Sequence, residues 1–572
     1  MSIWESRSSI PIEQTERAIS SVNGLNYSAG QVIDIFVPPT TKFIIGKDSY
    51  LTFDVEIALP ANTIGLLTRL QLDAETGAQC LCRTVSVWAG NKQTLLEQIV
   101  AYNNYVSIKY DYETNDTLKG KRTVEGATQS IVSLSGTKGT DVSQLTNSKV
   151  NPYFKKVANS ATSASFTNAT YYQKAKITMP MHISLFKSGK VFPVMKTNGI
   201  MLSIELESNV NVFRMLDTVS SQRRITANPI FHGITAAGGD LAGNGSTTTD
   251  FFVNFANSNY SIENFPFVVG QSFKLQKKTL VDATLGIGII DSITTEVSGS
   301  DTYVKVTTAV AVTATGEVDP TDEYFFVDAT VAEAATFNPT YTVSQVELVV
   351  KEVSMGPEYE RDLQASMKSG GVIEIDMEGV TNYQLSALAS DRVSNLQINP
   401  NNSRCRSIIS CPTDSTRYNA KDAISANGTY RIKNPADDNV LRSCRSGLEG
   451  LSDHLSEYNW FINGRLQPSR PINVSNISNK VGISAQHLVE VEKGLASANI
   501  QPLSFEAYNR NFIIARTLGI QDNMVYDARG KSFSLQLNYN EATAPEKNKL
   551  WNNFLFHIRR IVIKDSSVMV VP

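Results

Sequence analysis

Histidines are the first place to look for chemistry, because a neutral imidazole ligates metals and exchanges protons near neutral pH. The chain of 572 residues has five, His182, His232, His454, His487 and His557. They are scattered, and none falls in the H-x-x-x-H or H-E-x-x-H patterns that set two ligands on one helix face. His487 and Glu490 stand one helical turn apart and could hold a metal, yet a solvated helix face is the better account of that spacing. The run GIGIID at 286–291 has two glycines of a dinucleotide-binding turn. The third glycine and the long helix that must follow are missing, so a β-turn is the better reading. Neither a P-loop nor a G-x-S-x-G nucleophile elbow occurs. No catalytic, metal-binding or cofactor-binding residue is assigned, and the chain is read as a protein that is not an enzyme.

The remaining reactive or charged groups point the same way. Cys80 and Cys82 sit two apart on an expected strand, Cys405, Cys411 and Cys444 lack C-x-x-C spacing, and the total is odd. Free buried thiols in a reducing compartment are expected. A net charge of −3 offers no general attraction to a polyanion, so nucleic-acid binding would have to be local. Lys547, Lys549, Arg559, Arg560 and Lys564 come nearest to a basic cluster, and salt-bridged sandwich edges are their expected role. Arg7 and Arg17 face Glu5, Glu13 and Glu16 at the N-terminus, too little basic charge to neutralise a phosphate backbone. Arg465 and Arg470, beside Pro468 and Pro471, are placed on a rigid loop suited to a subunit contact.

Residues that do no chemistry must build something, and most of the chain reads as strand. Apolar residues at 41% with charged residues at 19% are globular, and abundant Ser, Thr, Asn, Val and Ile favour strands and turns over helices. The length exceeds one ordinary core of ~100–200 residues, so two or three are expected. No run of ~18 apolar residues suggests a membrane span, and the N-terminus does not read as a secretory signal.

An extended polar arm is expected over residues 1–30. Leu51, Phe53, Val55 and Ile57 then alternate with Thr52, Asp54 and Glu56 in the manner of a strand. Leu95, Leu96, Ile99, Tyr102 and Val106 predict a helix over 94–110, capped by Asn91 or Thr94. Residues 114–170 read as long loops, and KITMPMHISLF, VFPVM and GIMLSIELES as strands. Residues 228–340 read as a β-rich insertion that interrupts the first domain, 31–355, whose closing strand is YTVSQVELVVKEV. The linker 356–371 carries a helix presenting Tyr359, Leu363 and Met367 and stops at Gly370 and Gly371. A second β domain, 372–572, starts at VIEIDMEGV. Helical spacing is seen there at Leu441, Cys444, Leu448, Leu451, Leu455 and Tyr458, and again over 484–495. Phe533, Leu535, Leu537 and Tyr539 alternate as a strand, and Pro545 is expected to open a short helix presenting Leu550, Trp551, Phe554 and Leu555.

The two halves end alike, GIMLSIELES then VSQVELVVKEV in the first and KSFSLQLNYNEA then FHIRRIVIKDSSVMV in the second. That succession suggests a duplicated β-sandwich. With SYLTFDVEI, VSVWAGNKQTLLEQIVAYNNYVSI, EYNWFINGRLQPSRPINV and the closing FLFHIRRIVIKDSSVMVV, it resembles double jelly-roll major capsid proteins from about residue 30 to the end. The resemblance is to those of polinton-like viruses, adintoviruses and virophages, and more distantly to adenovirus hexon and tectivirus coats. It implies an all-β fold of two consecutive eight-stranded jelly-roll sandwiches, with short helices in loops and the insertion as an outer tower. It also implies a homotrimer with a pseudo-hexagonal outline that tiles the icosahedral shell of a double-stranded DNA virion. Neighbouring capsomers, penton and minor cement proteins are the partners implied, with an inner membrane as a further candidate and no direct sequence-specific nucleic-acid contact. A β-sandwich carbohydrate-active protein and a viral spike or receptor-binding protein are the rival readings. No carboxylate pair stands out for the first, and the duplication is not required by the second.

Overall fold

The computed structural model describes residues 13–59, 67–68, 70–72, 76–113, 125, 157–158, 171–215, 225–227, 247–254, 269, 272–277, 280–298, 301–313, 324–328, 340–415, 448, 450–474, 484–503, 511–519, 525–539, 545, 548–564 and 567–571. The first sandwich is built from β1 (Glu13–Ser20), β2 (Val32–Val37), β3 (Phe43–Leu59), β4 (Cys82–Ala89), β5 (Thr94–Val100), β6 (Tyr171–Pro180), β7 (Ile200–Leu206) and β14 (Thr340–Ser354). Between β7 and β14 lie β8 (Ile225–Ala227), β9 (Thr247–Asn254), β10 (Ser272–Lys277), β11 (Leu280–Ser298), β12 (Asp301–Thr313) and β13 (Tyr324–Asp328). The second sandwich comprises β15 (Ile373–Ala387), β16 (Val393–Ile398), β17 (Cys405–Asp414), β18 (Leu455–Ile462), β19 (Arg465–Asn473), β20 (Ile514–Thr517), β21 (Phe533–Tyr539) and β22 (Lys549–Lys564), followed by β23 (Ser567–Val571).

Strand order is the decisive feature. The first sandwich has sheets β1-β14-β3-β6 and β2-β7-β4-β5, and the second has β15-β22-β17-β20 and β16-β21-β18-β19. Numbered within each sandwich, both therefore read 1-8-3-6 against 2-7-4-5, which is the jelly-roll arrangement, all antiparallel. The clean alternation of β21, with Phe533, Leu535, Leu537 and Tyr539 buried and the residues between them half-buried, is the signature of one face on the core and one toward solvent. β8 to β13 form a separate sheet in the order β8-β13-β10-β11-β12-β9, placed in the connection from the seventh to the eighth strand of the first sandwich.

Several expectations are corrected. The arm expected over 1–30 contains β1, whose residues pair with β14 from Glu13↔Ser354 to Ser20↔Glu347, so the first sandwich begins well before residue 31. Thr94–Val100 is a strand, not a helix, because the turn after Ala89, with Gly90 and Lys92 at positive φ, folds it back onto β4. The helix α1 (Tyr102–Tyr112) starts only after Ala101, itself left-handed at φ 54°. The MHISLF end of the expected strand KITMPMHISLF instead enters a short helix, α2 (Ser184–Lys187), and VFPVM holds two strand residues and a 3-10 turn. Leu455 and Tyr458 belong to β18 rather than to a helix, while Leu441 and Cys444 lie outside the described residues. No helix follows Pro545 across Leu550 to Leu555; those residues sit in β22, which is buried on both faces from Trp551 to His557. A strand dry on both sides loses the period of two and imitates helical spacing. The linker helix α3 (Pro357–Lys368) and the helix α4 (Ala485–Ser497) form where their patterns place them, and Gly370 follows α3 at φ 80°.

Candidate functional site

The residues singled out for chemistry are dispersed and mostly structural. His487 is not on a solvated helix face: it is fully buried, stacked on Phe512 at 5.6 Å, with its Nδ1 2.9 Å from the Tyr458 hydroxyl. Burial pushes its pKa down to about 3. Glu490 turns instead to Arg516, at 2.5 Å, and Lys493, at 3.6 Å. His557 is buried opposite Gly379, its Nε2 3.0 Å from the Thr381 hydroxyl. His182 lies 2.8 Å from the Tyr110 hydroxyl, and His232 is outside the described residues. GIGIID is neither a nucleotide turn nor a β-turn but mid-strand in β11, where Gly288 lies so close under Val312 that a Cβ would sit 2.7 Å from it.

The basic residues near the C-terminus do not form one patch. Lys549 and Arg560 are eleven positions apart on one strand, about 36 Å. Lys549 is buried against Asp453, with its ammonium 4.8 Å from the Tyr539 ring. Arg560 makes a forked pair with Asp376, at 2.8 and 3.2 Å, and reaches Glu374 at 2.9 Å. Arg404 joins the same Asp376 at 2.9 Å. Burial alone would raise the Asp376 carboxyl, but the two guanidiniums outweigh it and hold it below its usual value. Lys547 lies outside the described residues. Arg465 and Arg470 are on β19 rather than a loop, and both are exposed.

Cys80, Cys82, Cys405 and Cys411 are buried thiols outside any disulfide, and burial pushes Cys82 and Cys405 up to about 12. Because only the thiolate is a good nucleophile, none of these four should be alkylated in the native chain at pH 8. Site-resolved mass spectrometry checks this: all four should label only on unfolding, and labelling of Cys82 in the folded protein would contradict it.

What the fold does assemble is the seam between the sandwiches, and it is polar as well as apolar. Glu97, in the middle of β5 and fully buried, accepts from the backbone N–H of Ser184 and of Val380, each at 2.6 Å, and so joins first sandwich to second. Arg559 donates to the Leu96 carbonyl, and the Asn382 amide donates to that of Val100 at 2.9 Å. From α1, Asn104 donates to the Leu448 carbonyl at 2.6 Å, and the Tyr112 hydroxyl donates to the Asn511 carbonyl at 2.9 Å. Asn511 in turn donates to Asp111 at 2.6 Å and accepts from the Gly450 N–H at 2.6 Å. Tyr105 lies 6.0 Å from both Phe554 and Phe556. Its hydroxyl is 3.3 Å from the Lys187 ammonium, which also reaches Glu378 at 3.4 Å. Burial acts to lower Lys187, but Tyr105, Glu378 and Glu97 outweigh it and hold the ammonium above its usual value. β23 finishes the join, with Val568 and Val570 packed on the shared core. Such a seam, bonded to named partners on both sides although Asn104 Oδ1, Asn382 Oδ1 and Arg559 Nε lack a partner among the described residues, holds two sandwiches in one orientation. Sequence reasoning passed over it; a lone acid in the apolar run TLLEQIV was the available signal.

No protein-family model matches the chain, and no curated protein matches it in sequence. Solved structures do match in shape. A chain of the Sputnik virophage cryo-EM structure is similar over 99% of this chain and 89% of its own, with 9% identity and a TM-score of 0.49. The Faustovirus major capsid protein covers 98% of this chain and 92% of its own at 8% identity, TM-score 0.47. The mavirus major capsid protein covers 99% and 91% at 8% identity, TM-score 0.36. By its own strand order the chain is a double jelly roll, and the solved structures it is similar to are those of viral capsid proteins.

Proposed function

We propose that this chain is the major capsid protein of a double-stranded DNA virus, forming homotrimers of pseudo-hexagonal outline that tile an icosahedral shell. The observation that carries the reading is the duplication: one strand order occurs twice, and the two copies are fixed side by side by a buried seam. Three such chains around a threefold axis place six similar sandwiches in a near-hexagonal ring, which lets one gene product fill a hexagonal lattice. The inserted sheet supports an outer tower, since it leaves a single inter-strand connection and can lengthen without disturbing either core. The role is structural: neighbouring capsomers and penton and minor cement proteins are the partners, with an inner membrane as a further candidate, and the genome is not bound directly by sequence.

The native mass and negative-stain outline of the purified chain test this. The expected result is a particle of three times 62.7 kDa with a hexagonal outline. A monomer that hydrolyses glycans would overturn it.

A further inference from the structure

We propose that the outward face of the β1-β14-β3-β6 sheet receives the β19 edge of a second copy of this chain, repeating between chains the contact that the seam makes within one. The proposal rests on the trimer reading and says which surfaces form the trimer.

Within the chain, the second sandwich turns the outward face of its 1-8-3-6 sheet to the first. Register aligns Asn382, Phe554, Ile409 and Ala515 in a row across β15, β22, β17 and β20, and Phe554 and Ile409 are fully buried. Three pieces cover it: β5, an edge strand of the first sandwich that brings the Leu96 and Val100 carbonyls and Glu97 to β15 and Arg559, α1, whose Tyr105 packs on Phe554, and the second sandwich's own α4, whose Gly494 packs on Ala515. The first sandwich has the same face. Register there aligns Ala18, Val349, Tyr50 and Pro180 across β1, β14, β3 and β6, an apolar row like its counterpart. Ala18 is exposed, and Val349, Tyr50 and Pro180 are only half-buried.

The matching strand is also open. β19 is the fifth strand of the second sandwich, paired among the described residues only with β18, and it exposes Arg465, Leu466, Ser469, Arg470 and Pro471. Pro468 and Pro471 have no N–H to offer, so this edge is unsuited to extending a sheet and suited to lying across a face, as β5 does. Charge fits as well. Glu347 stands beside Val349's row on the face, Arg470 stands on the strand, and neither has an ion-pair partner among the described residues. A face on one copy and an edge on the next make a heterologous contact, which closes into a ring when the rotation is one third of a turn. Thr52, Glu347 and Lys351 around the row make this contact more polar than the seam, as suits subunits that meet after folding.

Sedimentation of the full chain over a concentration series tests the assignment, with thermal unfolding as the check on folding. Arg470→Glu, on an exposed edge, and Val349→Asp should each raise the concentration at which trimers dissociate by about tenfold or more. Adding Glu347→Arg to Arg470→Glu should recover most of the loss, which a folding defect would not. Val489→Asp, on the exposed side of α4, should leave the trimer unchanged. A wild-type trimer that persists undiminished in both single variants overturns the assignment and leaves the trimer reading standing; a wild-type monomer overturns both.

Discussion

Replacing Glu97 by leucine is expected to destabilise the folded chain by about 3–5 kcal/mol, although the two side chains differ little in volume. The Glu97 carboxylate is fully buried and accepts from two backbone N–H groups, one in each sandwich. Leucine would leave both donors dry and unpaired, and would take from the half-buried Lys187 one of the negative neighbours that hold its charge. Glutamine keeps one acceptor and turns an N–H toward the other donor, so its cost should fall between wild type and leucine. Urea unfolding followed by tryptophan fluorescence reads both quantities. Trp88 is in the first sandwich, and Trp460 and Trp551 are in the second. The Glu97→Leu chain should show its sandwiches unfolding at separate midpoints, because the seam couples them. A loss under about 1 kcal/mol with one shared transition would mean that the seam is held elsewhere.

Acidification should remove stability in a window set by the two core histidines. His487 and His557 are each pushed down to about 3 by burial, His557 additionally by the Arg559 guanidinium, against 6.5 for the free side chain. Below pH 6.5 the unfolded chain takes up protons that the folded chain refuses. Their contribution is therefore complete above about 6.5 and is lost as pH falls toward 3, at up to about 1.4 kcal/mol per pH unit for each histidine. Asp376, held below its usual 3.8 by Arg560 and Arg404 against the opposing effect of burial, adds its own loss only at the acid end. The interval from pH 6.5 to 4.5 thus belongs mainly to the histidines. Urea midpoints across it should fall steeply in the wild type, and His487→Gln or His557→Gln should each reduce the slope by close to one proton. A flat profile in the wild type would contradict the buried, neutral state of both rings.

Legibility of the chain followed solvent. β7 and β21 were read from Leu202, Ile204 and Leu206 and from Phe533, Leu535 and Leu537, because each strand has a core side and a wetter side that write a period of two. β5 and the first part of β22, residues 550–555, were read as helices for the opposite reason. Leu96 and Glu97 are neighbours in β5 and are both buried, and in β22 Leu555 faces the second core while Phe554 and Phe556 face the first sandwich. β1 was read as an arm since none of its residues is buried; backbone pairing with β14 and the Arg17–Glu352 ion pair, at 2.7 Å, hold it instead. The candidate histidines were visible as residues, but only the packing of Phe512 and Tyr458 against His487 shows that it is core.

The sequence alone therefore determined a large β protein with a repeated succession of strands, a linker helix, an inserted β-rich segment and no recognisable catalytic motif, because composition and one-sided periodicity are local properties. The tertiary structure decided the rest. Both sandwiches share a 1-8-3-6 and 2-7-4-5 strand order, and β22 is covered on both faces by two different sandwiches. Glu97 meets backbone 283 residues away. Such partners are set by register and by sandwich against sandwich, and no spacing within one segment encodes them.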